Sequence, residues 1–287
     1  MTLIEALRAN PALLIGCAGV LGLAIGSFLN VVGTRLPQMM EAEWKNEARL
    51  ILEPDTEQPE PPRFNLLFPP SSCPHCGARI RPWHNLPLLG WLWLRGRCAD
   101  CKAPISPQYP LVELAGGVMA AVCAWRFGWG PQLAAALVLS WSLLVLTVID
   151  FREQLLPDSI TLPLLWLGLV LSCFGVFPVT PQASIAGAVF GYLSLWGIYH
   201  LYRIVTGKHG MGHGDFKLLA ALGAWFGGLA LPMIILLSSV VGALVGISLI
   251  LFRGRDRNVP ISFGPYLAGA GWLTLIWGQS LLKLIHA

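Results

Sequence analysis

Two aspartates stand where an apolar chain has little reason to place charge. Asp150 closes the apolar run 143–149, and Asp215 ends the stretch Gly210-Met211-Gly212-His213-Gly214-Asp215-Phe216-Lys217 at the start of another such run. Ionised carboxylates are costly in hydrocarbon, so each belongs at a membrane surface or in a wet cavity. Two carboxylates meeting in one cavity suit hydrolysis: one acts as base to activate water, the other as acid to protonate the leaving amine. Held close together they cannot both ionise, so one keeps a proton at working pH. Glycines 210, 212 and 214 remove side-chain bulk and let another segment, or an extended peptide, approach Asp215. Taken singly, each acid has a plainer reading: Asp150 as a helix-end charge and Asp215 as a helix cap.

A second constellation is Cys73-Pro-His75-Cys76 and Cys98-Ala-Asp-Cys101, two CxxC pairs with 21 residues between them. Each pair supplies half of a tetrahedral thiolate cage, so Cys73, Cys76, Cys98 and Cys101 predict a structural Zn²⁺ site. In a reducing cytoplasm metal is favoured over a disulfide; a redox or free-thiol cluster is the alternative. His75 and His84 lie nearby, but four thiolates already close such a site. The segment between the pairs, 83–94, is rich in Trp and Leu and too interrupted to span a bilayer. Its tryptophans suit the membrane–water interface. Cys17, Cys123 and Cys173 fall in predicted helices as small apolar residues.

The elements that must position these groups are membrane helices. The chain has 287 residues, 55% hydrophobic and 12% charged, with mean hydropathy +0.64; a soluble domain carries about 25% charged residues. Apolar runs of spanning length, roughly 17–25 residues, recur at about 12–34, 110–127, 132–149, 160–178, 184–204, 216–230, 231–252 and 261–284. The prediction is an all-α polytopic membrane protein of about eight transmembrane helices. Gly227-Gly228 and Pro232 mark a tight turn between the sixth and seventh runs. The expected organisation is a first transmembrane helix within 1–35, a zinc-binding four-cysteine cytoplasmic insertion at 36–107, and a seven-helix membrane region at 108–287 carrying the aspartates. Near the start, Glu5 and Arg8 without a small-residue cleavage site read as a retained helix rather than a signal peptide.

Orientation follows from lysine and arginine. With the 36–107 loop in the cytoplasm and the helices alternating, all but Arg8, Arg126 and Lys283 of the 19 lysines and arginines fall inside. Both termini then lie outside, and Asp150 and Asp215 emerge on the cytoplasmic side. The formal charge of +4 is small and no basic patch is interleaved with aromatics, so nucleic acid is not an expected partner. Residues 41–60 hold Glu41, Glu43, Glu47, Glu53, Asp55, Glu57 and Glu60 against Lys45 and Arg49. They read as a solvated loop or as a field that attracts a basic peptide.

Together these motifs resemble the prepilin peptidases, the type 4 prepilin leader peptidases, which are membrane aspartic proteases with a GxGD motif. The likeness covers nearly the whole chain. It includes Gly26-Ser-Phe-Leu-Asn30-Val-Val-Gly-Thr-Arg35-Leu-Pro37, the cysteine quartet, Tyr109-Pro-Leu-Val-Glu113, Asp150 through Pro157-Asp158, and Gly212 through Lys217. His213 departs from it, standing where members usually have tyrosine. The resemblance implies Asp150 and Asp215 as catalytic residues in the bacterial inner membrane. The implied reaction is cytoplasmic-face cleavage of a short basic leader from type IV prepilins and type II secretion pseudopilins, after a glycine and usually before phenylalanine. Members with the cysteine domain commonly also N-methylate the new terminus with S-adenosylmethionine. No GxGxxG follows a strand-like run, and the sequence assigns no residue to that cofactor.

The supporting residues keep two readings each. Glu113 either orients substrate or pairs with an arginine. Asp158 either caps its helix, with Ser159 as rival, or has a direct part in catalysis. Lys217 either keeps Asp215 charged or is a snorkelling flank residue. Asn30 and Arg35 either hold helices together or contribute to methylation. Other classes remain: a zinc-stabilised membrane adaptor or assembly factor, or a proton-coupled transporter, each with structural aspartates. Neither accounts for the glycines alternating before Asp215.

Overall fold

Proline, glycine and short polar caps cut the apolar chain into helices. A computed structural model describes residues 2–53, 63–207, 211–253 and 262–285, with helical backbone alone at 253 and 279–285. Among these residues the helices are α1 (Leu3–Ala9), α2 (Pro11–Leu52), α3 (Leu89–Trp93), α4 (Gln108–Phe127), α5 (Pro131–Glu153), α6 (Asp158–Cys173), α7 (Pro181–Thr206), α8 (His213–Phe226), α9 (Leu231–Arg253) and α10 (Gly264–Ile285). Proline opens α2, α5 and α7, where its missing N–H costs nothing, and Asn10 and Thr180 cap α2 and α7 through their side chains. Gly207 ends α7 in the left-handed conformation. The turn expected at 227–228 is present, with Gly227 at φ +78° and a short 3₁₀ turn at Gly228–Ala230.

The fold is all-helical, and its long helices follow the predicted apolar runs. Four stretches are long and apolar enough to cross a membrane by length and composition: Pro11–Leu52, Gln108–Phe127, Pro131–Glu153 and Gly228–Phe252. Asp158–Cys173 is apolar but shorter. The expected polar insertion at 36–107 is not separated from the first helix by a break in secondary structure. α2 runs through Pro37 for 42 residues, about 60 Å at ~1.5 Å per residue, twice the ~30 Å hydrocarbon thickness. Its second half is built from strong helix formers and carries a Glu41–Lys45 pair one turn apart at 2.6 Å. Asp55, Glu57 and Glu60 lie outside the described residues. The short α1, closed by a Thr2/Glu5 capping box, is an element the apolar pattern does not announce.

The chain divides into two compact units, Met1–Trp125 and Arg126–Ala287. In the first, α2 packs on α4 with almost no side chain between them. A Cβ built on Gly26 would stand 2.7 Å from Glu113 Cα, and one on Gly116 would stand 2.7 Å from the Gly22 carbonyl oxygen. Asn30 is buried there and donates to the Tyr109 carbonyl at 3.0 Å. Arg35 donates to the carbonyls of Asn65, at 3.0 Å, and Pro69, at 2.6 Å, tying the return of the insertion to α2. Asn30 and Arg35 thus both hold backbone carbonyls of the first unit.

In the second unit α8 is the most enclosed helix. Leu218, Leu219, Ala221, Leu222 and Ala224 are fully buried. Trp225 on α8 donates to the Leu164 carbonyl of α6 at 2.8 Å, and Ser184 on α7 donates to the Ala224 carbonyl at 2.5 Å. Gly187 and Gly223 let α7 and α8 meet backbone to backbone, since a Cβ on either would overlap the other's carbonyl. Gly187→Val should therefore lower thermal stability by more than the ~1–3 kcal/mol of ordinary overpacking. Gly197→Ala on the same helix meets nothing within 4 Å and should leave the melting temperature unchanged. A thermal melt of the two variants in detergent checks the contrast.

Candidate functional site

Asp150 lies in the last turn of α5, and Asp215 in the first turn of α8. Both are buried. The charge of Asp150 acts on Asp215, so the two carboxyls occupy one neighbourhood. Leu156, itself buried in the loop after α5, packs against a glycine beside each of them. A Cβ built on Gly214 would fall 2.7 Å from Leu156 Cβ; one built on Gly264 would fall 3.2 Å from Leu156 Cδ1 and 2.5 Å from Asp150 Oδ2. Leu156 therefore bears on the residue before Asp215 and on the glycine that covers Asp150.

The backbone supplies much of the polar setting. The N–H of Gly264 donates to the Asp150 carboxyl, while Asp150 Oδ2 is buried without a hydrogen-bond partner. The Ser262 hydroxyl donates to the Asp150 carbonyl at 2.8 Å. The N–H of Gly212 donates to the Asp215 carboxyl.

The alternate glycines do different jobs. Gly214 is required by the fold, because Leu156 fills the space of its side chain. Gly212 has an ordinary φ of −78°, and its nearest neighbour for a Cβ would be Asp215 Oδ2 at 3.8 Å. Among the described residues nothing demands glycine there; its effect is to add no side-chain bulk beside the Asp215 carboxyl. Gly210 lies outside the described residues. Asp215 is not the cap of α8, since the cap position is Gly212 and no side chain bonds there.

Lys217 Nζ meets both carboxylate oxygens of Asp158, at 2.7 and 2.6 Å. Lys217 thus has a partner, and that partner is Asp158 rather than Asp215. Asp158 does not cap α6: it lies in the first turn, the cap residue is Pro157, and no side chain bonds there. The pair ties the starts of α6 and α8 together beside Asp215. His213 packs on the rings of Tyr199, at 5.3 Å, and Phe216, at 5.4 Å, so the departure from tyrosine keeps an aromatic contact.

Glu113 belongs to the first unit. It is buried on α4, and its Oε2 accepts the Leu88 N–H at 2.8 Å. Its partner is a backbone group of the cysteine-bearing insertion, not an arginine.

That insertion holds two matching turns. Cys73 N–H donates to Ala78 O and Gly77 N–H to Cys73 O; Cys98 N–H donates to Ala103 O and Lys102 N–H to Cys98 O. Gly77 and Lys102, four residues after the first cysteine of each pair, both take positive φ. Isolated bridges Ser72–Arg79 and Arg97–Pro104 flank the two turns. The four Sγ atoms lie within 4.8 Å of one another, and those of Cys73 and Cys101 are 3.8 Å apart. A tetrahedron with metal–sulfur bonds of ~2.3 Å has edges of about 3.8 Å, so the quartet fits a metal such as zinc. Backbone N–H groups of Cys76 and His75 draw the Cys73 thiol down to about 6, toward the thiolate that binds metal. Neither His75 nor His84 joins the group.

Residues 20–127 match the model of the bacterial peptidase A24 N-terminal domain, and residues 137–247 match that of the type IV leader peptidase family. Proteins named prepilin leader peptidase/N-methyltransferase are similar over nearly the full length. The one from Stutzerimonas stutzeri is 54% identical, covering 98% of this chain and 96% of its own. That from Pseudomonas aeruginosa is 52% identical, covering 99% and 97%, and that from Aeromonas hydrophila 51%, covering 98% and 97%. No solved structure matches the chain. The chain belongs to the type IV leader peptidase family.

Ser262, Gly264 and Leu156 were not legible as site residues, because a seat made by backbone N–H groups and one leucine leaves no motif of charged side chains. The signal available was Ser262-Phe-Gly264-Pro265, a small-residue and proline break at the start of the last apolar run. The Lys217–Asp158 pair is partly exposed, with side chains 30% and 52% accessible, so it should contribute under ~1 kcal/mol to stability. Lys217→Asp and Asp158→Lys should each lower the melting temperature slightly, and the double reversal should restore it; a thermal melt of all three checks this.

Proposed function

We propose that the chain is an aspartic endopeptidase that cleaves the leader from type IV prepilins and type II secretion pseudopilins, and that it N-methylates the new terminal residue. Prepilin cleavage with N-methylation is the activity in the names of relatives about half identical over almost all of the chain. The single observation that supports the chemistry is the burial of Asp150 and Asp215 in one neighbourhood, with Leu156 packed against Gly214 and Gly264 beside them. The pair shares one proton. The ionised member takes a proton from a water molecule, and the protonated member delivers its own to the amide nitrogen that leaves. The clear side of Asp215 at Gly212 is the route by which the extended leader peptide approaches.

The bias of lysine and arginine supports an inner-membrane location with these acids facing the cytoplasm. Glu41, Glu43 and Glu47 on the polar half of α2 give a negative field for the basic leader. A first helix, a cysteine-bearing insertion and a seven-helix membrane region remain the organisation proposed, with α2 extending into the insertion's sequence. The thiolate quartet holds Zn²⁺ structurally, with Cys73, Cys76, Cys98 and Cys101 as ligands. S-adenosylmethionine is the methyl donor implied by the relatives' names. No strand–glycine-loop–helix unit stands among the described residues to seat it.

Asp150→Asn and Asp215→Asn should each abolish cleavage of a synthetic leader-bearing pilin peptide while leaving insertion and melting temperature intact; residual cleavage above ~1% of wild type by either would remove that residue from the pair. Gly212→Ala should keep the fold but raise KM, because its methyl borders the Asp215 carboxyl. Gly214→Ala should destabilise, because Leu156 already fills that space. Metal analysis of the purified full chain should find one zinc per molecule, and Cys73→Ser or Cys98→Ser should lose it without altering Asp150 or Asp215.

A further inference from the structure

The cysteine-bearing insertion presents an apolar face that the activity does not explain. α3 turns its Gly90 and Trp91 inward: Gly90 lies against the His84 carbonyl, and Trp91 packs over Gly96 and donates to the Ile105 carbonyl at 3.4 Å. Its other residues point outward. Leu89, Leu92 and Trp93 are 62%, 63% and 71% exposed, and Trp83 and Leu86 beside them are exposed as well. Water alone does not favour so many leucines and tryptophans displayed together in so small a fold.

The charges of the insertion's described sequence are nearly all positive. Residues 63–107 carry Arg63, Arg79, Arg81, Arg95, Arg97 and Lys102 against the single acid Asp100. Arg81 stacks over the Trp83 ring at 6.0 Å. A separate contact places the start of α3 against α4. Leu88, the residue before α3, donates its N–H to Glu113 at 2.8 Å. Glu113 lies five residues into α4, about 7.5 Å along its axis at ~1.5 Å per residue. α4 is one of the helices long and apolar enough to cross a membrane. α3 therefore starts beside the first turns of a candidate spanning helix, and with α4 across the bilayer that end falls near the boundary of headgroups and acyl chains.

We propose that α3, with Trp83 and Leu86, is an interfacial anchor that seats the insertion in the anionic headgroup layer of the bilayer. Leu89, Leu92 and Trp93 enter the acyl boundary, and the arginines flanking each cysteine pair meet lipid phosphates. Tryptophan at the headgroup level and basic residues against anionic lipid are the two forces that hold monotopic helices in place. The geometry leaves the outward side chains to lipid and the inward ones to the fold of the metal-binding turns.

The test uses the full chain in nanodiscs, with a benzophenone amino acid placed singly at positions 89, 92, 93 and 100. In discs of phosphatidylglycerol and phosphatidylethanolamine, illumination should give phospholipid adducts at 89, 92 and 93, at least about tenfold above the exposed position 100. Replacing phosphatidylglycerol with phosphatidylcholine, or introducing Arg79→Gln with Arg81→Gln, should lower the yield at 92 at least about threefold. Lipid adducts at 92 no more frequent than at 100 would overturn the proposal. So would adducts at 92 formed with an added leader-bearing peptide or a second copy of the chain in place of lipid. Metal content measured on the same samples separates a misfolded insertion from one that is folded but not seated in lipid.

Discussion

The second unit depends on how closely backbone and side chains pack against glycine. Gly214, Gly264, Gly187 and Gly223 all stand where a single added carbon would strike a neighbour. Close approach at 187 and 223 fixes α8 against α7. Close approach at 214 and 264 closes the loop after α5 over the ends of α8 and α10, with Leu156 as the shared filler. Two buried acids at helix ends would otherwise repel, and the chain would move them apart to water. Packing that leaves no slack keeps them together, and the backbone N–H groups of Gly212 and Gly264 compensate part of the lost hydration.

The first unit uses the same device for another purpose. Gly22, Gly26 and Gly116 bring α2 and α4 into backbone contact, as small residues do where helices meet in lipid. Polar side chains then tie the insertion to that pair of helices: Arg35 to the carbonyls of Asn65 and Pro69, and Glu113 to the N–H of Leu88. The cysteine-bearing turns are therefore tied to the middle of α2 and the first turns of α4. The family motif around Asn30 and Arg35 reads, in physical terms, as a set of joints between a helix pair and its insertion.

Much of this was legible in the sequence, because its strongest signals are physical constraints. Apolar length gave the long helices, and paired CxxC spacing gave the four-cysteine cluster. Charge in an apolar chain singled out Asp150 and Asp215. What escaped notice was set by context. The extension of α2 past Pro37 rests on helix propensity and a Glu41–Lys45 pair, which composition reads as loop. The partners of Lys217 and Glu113 were not apparent because side-chain pairing across 59 or 25 positions is decided by packing. Gly264 carries no chemistry of its own, and only the carboxyl beside it reveals its importance.

The central claim is that Asp150 and Asp215 share one proton and one water. The most direct measurement is the separation of their carboxyl groups by electron cryomicroscopy of the full chain in lipid. The account predicts carboxyl oxygens within about 3–6 Å, a span that one bridging water can cover. A separation beyond about 10 Å, with each carboxyl solvated on its own, would contradict it.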